Sequence, residues 1–274
     1  MPITSLELEI VSQERLFPEH RAAEPVNTPL SVIDASVLTF SPTGAFWIYN
    51  PPSSSQDSYS IPQLLSSFRK TLNFYSRLEL AWGYENDPGV EVVVARSPIA
   101  ISSAVPEHSE RIKRAWDTEE FASNELFPSS KLAFWNGTEF EGLTGLLVQL
   151  TVFACGGLAI GVKLAHVLAD AQSMISFVRN WASINQSVTN NTPNPALSPL
   201  FDPSLLDYSA TGKIDAEKRN PSILATAQSV PRTRYDYWAP TAKAPSWAQK
   251  AMETPSDIDV KTIEPAGTPP PWEF

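Results

Sequence analysis

Apolar and polar positions recur along this chain with two different periods, and each change of period marks an element. Near the N-terminus Leu6, Leu8 and Ile10 alternate with Glu7 and Glu9, the period-2 pattern of a half-buried strand. Residues 30–40 and 45–49 are rich in β-branched and aromatic side chains. Ser41-Pro-Thr-Gly44 between them has the chemistry of a turn, so the two runs are predicted to be paired strands. Over residues 61–78 the period becomes helical, with Leu64, Leu65, Phe68, Leu72 and Tyr75 on one face, Ser60 as N-cap and Pro62 in the first turn. Residues 90–95 predict a strand buried on both sides, and residues 109–126 a segment that is helical in part.

The most apolar stretch, residues 146–165, is about as long as a bilayer span. Gln149, Thr151 and Lys163 lie inside it and Gly156-Gly157 breaks it, so it is better read as a hairpin of strands 146–153 and 158–165 turned at Ala154-Cys-Gly-Gly157. In the second strand Leu158, Ile160, Val162 and Leu164 share one face, while Ala159, Gly161 and Ala165 leave the other small. That bare face has room for a ligand or for a packed helix. Residues 171–184 return to helical spacing through Met174, Ile175, Val178 and Trp181. Strands interleaved with helices indicate an α/β chain of the α+β type, a mixed sheet with helices packed on it. Beyond Asn185 the periodicity fades, apart from a short possible helix at 246–252, and about half of the 25 prolines fall there. The expected organisation is a folded domain over residues 1–185 and a Pro-rich crossover or tail, partly extended or disordered, over residues 186–274.

Composition narrows the function classes. At 274 residues and 42% hydrophobic content the chain can bury a sizeable core. A net charge of −10 and a pI near 4.8 argue against nucleic acid, since little here would neutralise a phosphate backbone. The small basic cluster of Arg111, Lys113 and Arg114 sits beside Glu107 and Glu110 and reads as a solvated face. The lone cysteine, Cys155, forbids an internal disulfide and fits a reducing compartment; its type suggests a small buried residue. The first residues lack the basic and apolar regions of a secretory signal, so a cytoplasmic protein with no membrane association is expected.

Chemistry concentrates at His166-Val-Leu-Ala-Asp170, directly behind the hairpin. An imidazole delivered at the end of an apolar strand, with a carboxylate four residues on, can serve as a positioned base. The bare spacing is weak, arising by chance in roughly one such sequence in eight. It is equally compatible with a satisfied histidine at a strand end and an aspartate capping the helix that follows. No third ligand accompanies the pair, so no metal site is expected. Gly-x-Ser-x-Gly, Gly-x-Gly-x-x-Gly and Walker patterns are missing, which leaves nucleophile-elbow hydrolases, dinucleotide enzymes and phosphate-loop enzymes without support.

The longer pattern is more specific. Val148-Gln-x-Thr-x-Phe-x-Cys-Gly-Gly-x-x-Ile-Gly-x-x-x-x-His166-x-x-x-Asp170-x-x-Ser173-x-x-x-Phe177-x-x-x-Trp181-Ala182 resembles the BAHD family of acyl-CoA-dependent acyltransferases. Leu30-Ser-Val-Ile-Asp34 resembles the family's early strand, and residues 64–78, with their Phe74-Tyr75, its first core helix. The proline-rich style is closer to fungal members of the trichothecene acetyltransferase group. The resemblance implies a chloramphenicol acetyltransferase-like fold with a solvent channel between two domains. His166 is then the general base, acyl-CoA (for example acetyl-CoA) the co-substrate, and a hydroxyl or amine of a small, secondary-metabolite-type molecule the acceptor. It further implies a structural role for Asp170, held through an arginine, and for Gly157 and Gly161, which keep the hairpin compact beside the base.

The chain departs from the family in two places. Ala171 stands where the family has Gly after the Asp, and the Asp-Phe-Gly-Trp-Gly of the family's second half is missing from these residues. The family's second domain is therefore expected to be absent, and with it most coenzyme A contacts, the arginine partner of Asp170 and donors to the oxyanion. Two alternatives stand beside the enzyme. One is a truncated, non-catalytic paralogue that binds a small molecule or a protein and self-associates through an exposed sheet edge. The other, a condensation-type domain of a peptide synthetase, fits less well, because Ala165 replaces the doubled histidine of such domains.

Overall fold

A computed structural model describes residues 5–20, 42–53, 59–75, 88–105, 122–134 and 142–200, together with residues 30, 31, 33, 34, 37, 110, 113, 202, 205, 221 and 222. Its strands are β1 (Glu9–Leu16), β2 (Thr43–Tyr49), β3 (Val90–Ser97), β4 (Leu146–Phe153) and β5 (Leu158–Leu164). They form one mixed sheet in the order β1-β3-β4-β5-β2. Only β3 and β4 run parallel; the other neighbours are antiparallel. Helices α1 (Ile61–Leu72) and α3 (Ala171–Asn190) lie together on one face. The four-residue helix α2 (Ile101–Ala104) and a 3-10 turn, Ser123–Leu126, pack on the other.

The helical face is apolar and aromatic. Leu158, Ile160, Val162 and Leu164 of β5 meet Phe68 and Leu72 of α1 and Met174, Phe177 and Trp181 of α3. The Phe68 ring stands edge-on to Trp181 at 4.9 Å and to Phe177 at 6.0 Å. Such pairs contribute about 0.5–1.5 kcal/mol each beyond their buried area. Ser60 caps α1 as expected, its hydroxyl accepting the Gln63 amide at 3.3 Å.

The hairpin forms as predicted, with Gly156 at φ 82° supplying the left-handed step of its turn and Cys155 exposed there, contrary to its burial tendency. Helix α3 runs six residues past its predicted end at Ile184. Its last turns are polar and therefore invisible to hydrophobic periodicity. They are held by α1 instead: Gln63 Nε2 donates to Thr189 Oγ1 at 2.6 Å and Ser67 Oγ to Asn185 Oδ1 at 3.0 Å. By contact the chain divides into Met1–Pro203 and Ser204–Phe274, a later boundary than residue 185. The predicted helix at 246–252 lies outside the described residues.

Two strand predictions need correction. The alternation at residues 6–10 predicts a strand that begins too early: Glu7 sits at φ 50°, and β1 starts only at Glu9. A register shift between Ile10 and Ser12 then turns the strand over and leaves Ile10 54% and Val11 48% exposed. Among the described residues, none of 30–40 pairs with β2, whose described partner is β5. Residues 33 and 34 are instead helical, because Ser31 and Asp34 cap one another. The Ser31 hydroxyl donates to the Asp34 carboxylate at 2.7 Å and accepts the Asp34 amide at 3.0 Å. Residues 32, 35, 36 and 38–40 lie outside the described set. Of residues 109–126, the described ones are Glu110, which is helical, Lys113, whose ammonium pairs with the Glu110 carboxylate at 2.6 Å, and residues 122–126, which hold the 3-10 turn.

Candidate active site

Strand β5 ends at Leu164, and the chain turns sharply through residues 165–170 before α3 begins. Four hydrogen bonds fix that turn. The Ala165 amide donates to the Gly145 carbonyl at 3.0 Å, tying the turn to the start of β4. The amides of Leu168 and Ala169 close back on the Ala165 carbonyl at 2.9 and 3.3 Å. From β2, the Thr43 hydroxyl donates to the Ala169 carbonyl at 2.9 Å. Ala165 and Val167 are buried with Leu132 and Leu147, which anchors the residues on either side of His166. His166 itself is half-buried, with Nδ1 out of solvent.

Asp170 caps α3: its carboxylate accepts the Ser173 amide at 2.8 Å while its own carbonyl accepts the Met174 amide at 2.9 Å. The Ser173 amide, then the Ser173 hydroxyl, then the nearby His166 and the Gln172 amide hold this carboxyl below its usual value; partial desolvation opposes them. His166 and Asp170 are thus brought within electrostatic reach of each other.

The two glycines stand elsewhere. Gly161 is in the middle of β5, opposite Gln149 on β4 and Phe46 on β2. A Cβ at this position would overlap the Leu126 carbonyl, so the bare face of β5 is filled by the 3-10 turn. Gln149 grips the same turn by donating to the Glu125 carbonyl at 2.7 Å. Gly157 precedes β5 at its opposite end, about 23 Å from Leu164 at about 3.3 Å per residue. A Cβ there would collide with Ile101 of α2.

Sequence reasoning passed over Thr43, assigned to a turn when it opens β2, and Lys163. Lys163 interrupts the apolar alternation of β5 and holds its ammonium 5.0 Å from the centre of the Phe127 ring. Burial lowers its pKa. Ser173 carried a usable signal, since Asp-x-x-Ser at a helix start is a capping pattern. On the α3 side of the His166 turn lies a cavity of about 500 Å³ whose lining includes Leu168 and Ala169 but not His166.

The mixed sheet with helices packed on it agrees with the fold that the BAHD resemblance implies. The family model described as Transferase family matches residues 6–216, and the chain belongs to this family, the BAHD acyltransferases. Among curated relatives, acyltransferase AFT15-1 of Alternaria alternata is 25% identical over 96% of this chain and 55% of its own length. A malonyl-coenzyme:anthocyanin 5-O-glucoside-6'''-O-malonyltransferase of Salvia splendens is 27% identical over 73% of this chain and 45% of its own. Vinorine synthase of Rauvolfia serpentina is 27% identical over 70% of this chain and 49% of its own. The crystal structure of vinorine synthase shares the fold with a TM-score of 0.51 at 24% identity, again over 70% of this chain and 49% of that one. The chain spans about half the length of the curated relatives it matches. Among the described residues, no helix is long and apolar enough to cross a membrane.

Proposed function

We propose that this chain acts in acyl transfer from an acyl-CoA to a hydroxyl or amine of a small-molecule acceptor, with His166 as general base. The observation that carries this reading is the pinned turn: a half-buried imidazole held at a strand end in a chain of the acyltransferase family. The coenzyme donor in the name of the Salvia relative supports the choice of co-substrate. In the reaction, the imidazole accepts the proton of the acceptor O–H or N–H as that atom attacks the thioester carbonyl. The tetrahedral intermediate then collapses, the C–S bond breaks, and the imidazolium returns the proton to the departing thiolate. Asp170 acts on the turn, by starting α3 where it does, and Gly161 acts on the sheet, by admitting the 3-10 turn. The net charge of −10 and the lone cysteine fit a cytoplasmic protein that does not hold nucleic acid.

The test is thiol release from acetyl-CoA and malonyl-CoA with a panel of neutral alcohols and amines, using the full chain and His166→Ala. Loss of a general base is expected to lower the rate by at least about 100-fold with the circular dichroism unchanged. Turnover by His166→Ala at the unsubstituted rate would remove His166 from the mechanism. Failure of the unsubstituted chain with every pair would replace catalysis by binding as the role of these residues.

A further inference from the structure

The cavity beside the His166 turn has a chemistry of its own. Its volume of about 500 Å³ lies within the range of small-molecule sites, about 300–1,000 Å³. Leu146, Leu164, Leu168 and Phe177 give it an apolar surface. Gln172, Ser176 and Asn180 follow one another at intervals of four along α3, so they form a single polar stripe on one face of that helix. Residues 196–200 complete the lining. Among the described residues, none of those lining the cavity is Asp, Glu, Lys, Arg or His. An ion entering it would lose hydration and meet no opposite charge from those residues.

Tyr75 adds the deepest polar group. The residue is 5% exposed, and Asn180 Nδ2 donates to its hydroxyl at 2.6 Å. That bond uses an acceptor site of the phenol and one donor of the amide. The phenolic proton and the Asn180 carbonyl keep the capacity to meet an acceptor and a donor on a ligand. Burial raises the phenol's pKa, so it stays neutral near pH 7. Apolar walls and one uncharged polar edge together define the occupant.

We propose that this cavity binds a neutral, largely apolar small molecule carrying a hydroxyl or carbonyl along one edge, at a site separate from His166. Because Leu168 and Ala169 belong both to the cavity and to the turn, an occupant packs against the turn that carries His166. The site does not depend on the acyl-transfer reading, and its test measures binding alone.

The experiment is a fluorescence titration of 2-naphthol, a neutral fused ring with one hydroxyl, into the full 274-residue chain. Naphthalene-2-carboxylate serves as the charged counterpart of the same shape. Saturable one-to-one binding of 2-naphthol is expected, with the carboxylate at least about tenfold weaker. Ser176→Trp, which fills the cavity, is expected to abolish binding. Asn180→Leu is expected to weaken it by about tenfold, the loss of one buried hydrogen-bond partner. His166→Ala is expected to leave it unchanged. Equal affinity for the carboxylate, or full affinity in Ser176→Trp, would overturn the proposal, as would the lack of any saturable phase. Weakening by His166→Ala would overturn the separateness of the site. If Ser176→Trp does not fold, Asn180→Leu and the charge comparison decide the matter by themselves.

Discussion

The two faces of the sheet are built by different chemistry, although the same strands supply both. On the helical face Val92, Leu150, Ile160 and Val162 meet Phe68, Phe177 and Trp181 in a continuous apolar layer. On the opposite face the strands present Glu91, Ser97, Gln149 and Thr151, all buried. Each finds a partner there. Glu91 accepts from Gln13 at 3.2 Å and from the Ser130 hydroxyl, and pairs with Arg15 at 3.0 Å. Gln149 donates to the Glu125 carbonyl and to Thr151, and Ser97 donates to the Leu6 carbonyl at 2.6 Å. A helix satisfies its own backbone and can be covered by hydrocarbon. Irregular chain such as residues 5–8 and 122–134 carries free carbonyls and amides, so the sheet beneath it has to supply polar side chains.

This contrast can be broken from either side. The largest effect is expected at the apolar face. Trp181→Ala removes the ring against Phe68 together with the indole N–H bond to Ser67 Oγ at 3.0 Å, and should cost about 3–5 kcal/mol in urea unfolding. Glu91→Ala should cost somewhat less, about 2–3 kcal/mol. Breaking a fully buried pair costs about 3–5 kcal/mol, but the Arg15 side chain is 37% exposed and recovers water. Glu91→Gln, which can still accept from Ser130, should lose less than Glu91→Ala. If Glu91→Ala proved neutral, the polar face would be packing and not pairing.

The same contrast explains what could be read from the sequence. The apolar face is written in unbroken periods: Leu64, Phe68 and Leu72 on α1, alternate residues on β5, and Met174 and Trp181 on α3. One repeat identifies each element and its buried side at once. The polar face is written in pairs far apart in the chain. The Leu6 amide donates to Glu125 Oε2 at 2.8 Å across 119 residues, and no local pattern joins those two positions. That is why the local alternation starts β1 too early, and why the space left by Gly161 is compatible, in sequence, with either a ligand or packed chain. The candidate site divides in the same way. His166, Asp170 and Ser173 lie within eight residues and were legible as a motif. The Thr43 clamp on Ala169 bridges 126 residues and was not.

The smallest expected effect sharpens the comparison where the two chemistries meet, at the junction of strand, turn and helix. Asp170 is exposed, and its carboxylate satisfies an amide that α3 would otherwise leave open. Asp170→Ala should therefore cost about 1 kcal/mol, while Asp170→Asn, an equally good N-cap, should retain most of the stability. The pH dependence follows from the sign of the shift. The folded-state carboxyl titrates below the usual 3.8, so its contribution is complete above that value and fades as pH falls through the lower, folded-state pKa. Exposure and salt screening keep the effect small. The measurement is a set of thermal melts from pH 7 down to about pH 3 at low and high salt. The gap in Tm between the unsubstituted chain and Asp170→Ala should narrow only at the acid end. A gap that stayed constant down to about pH 3, or that was as large for Asp170→Asn as for Asp170→Ala, would mean that the carboxylate does not act as the cap of α3.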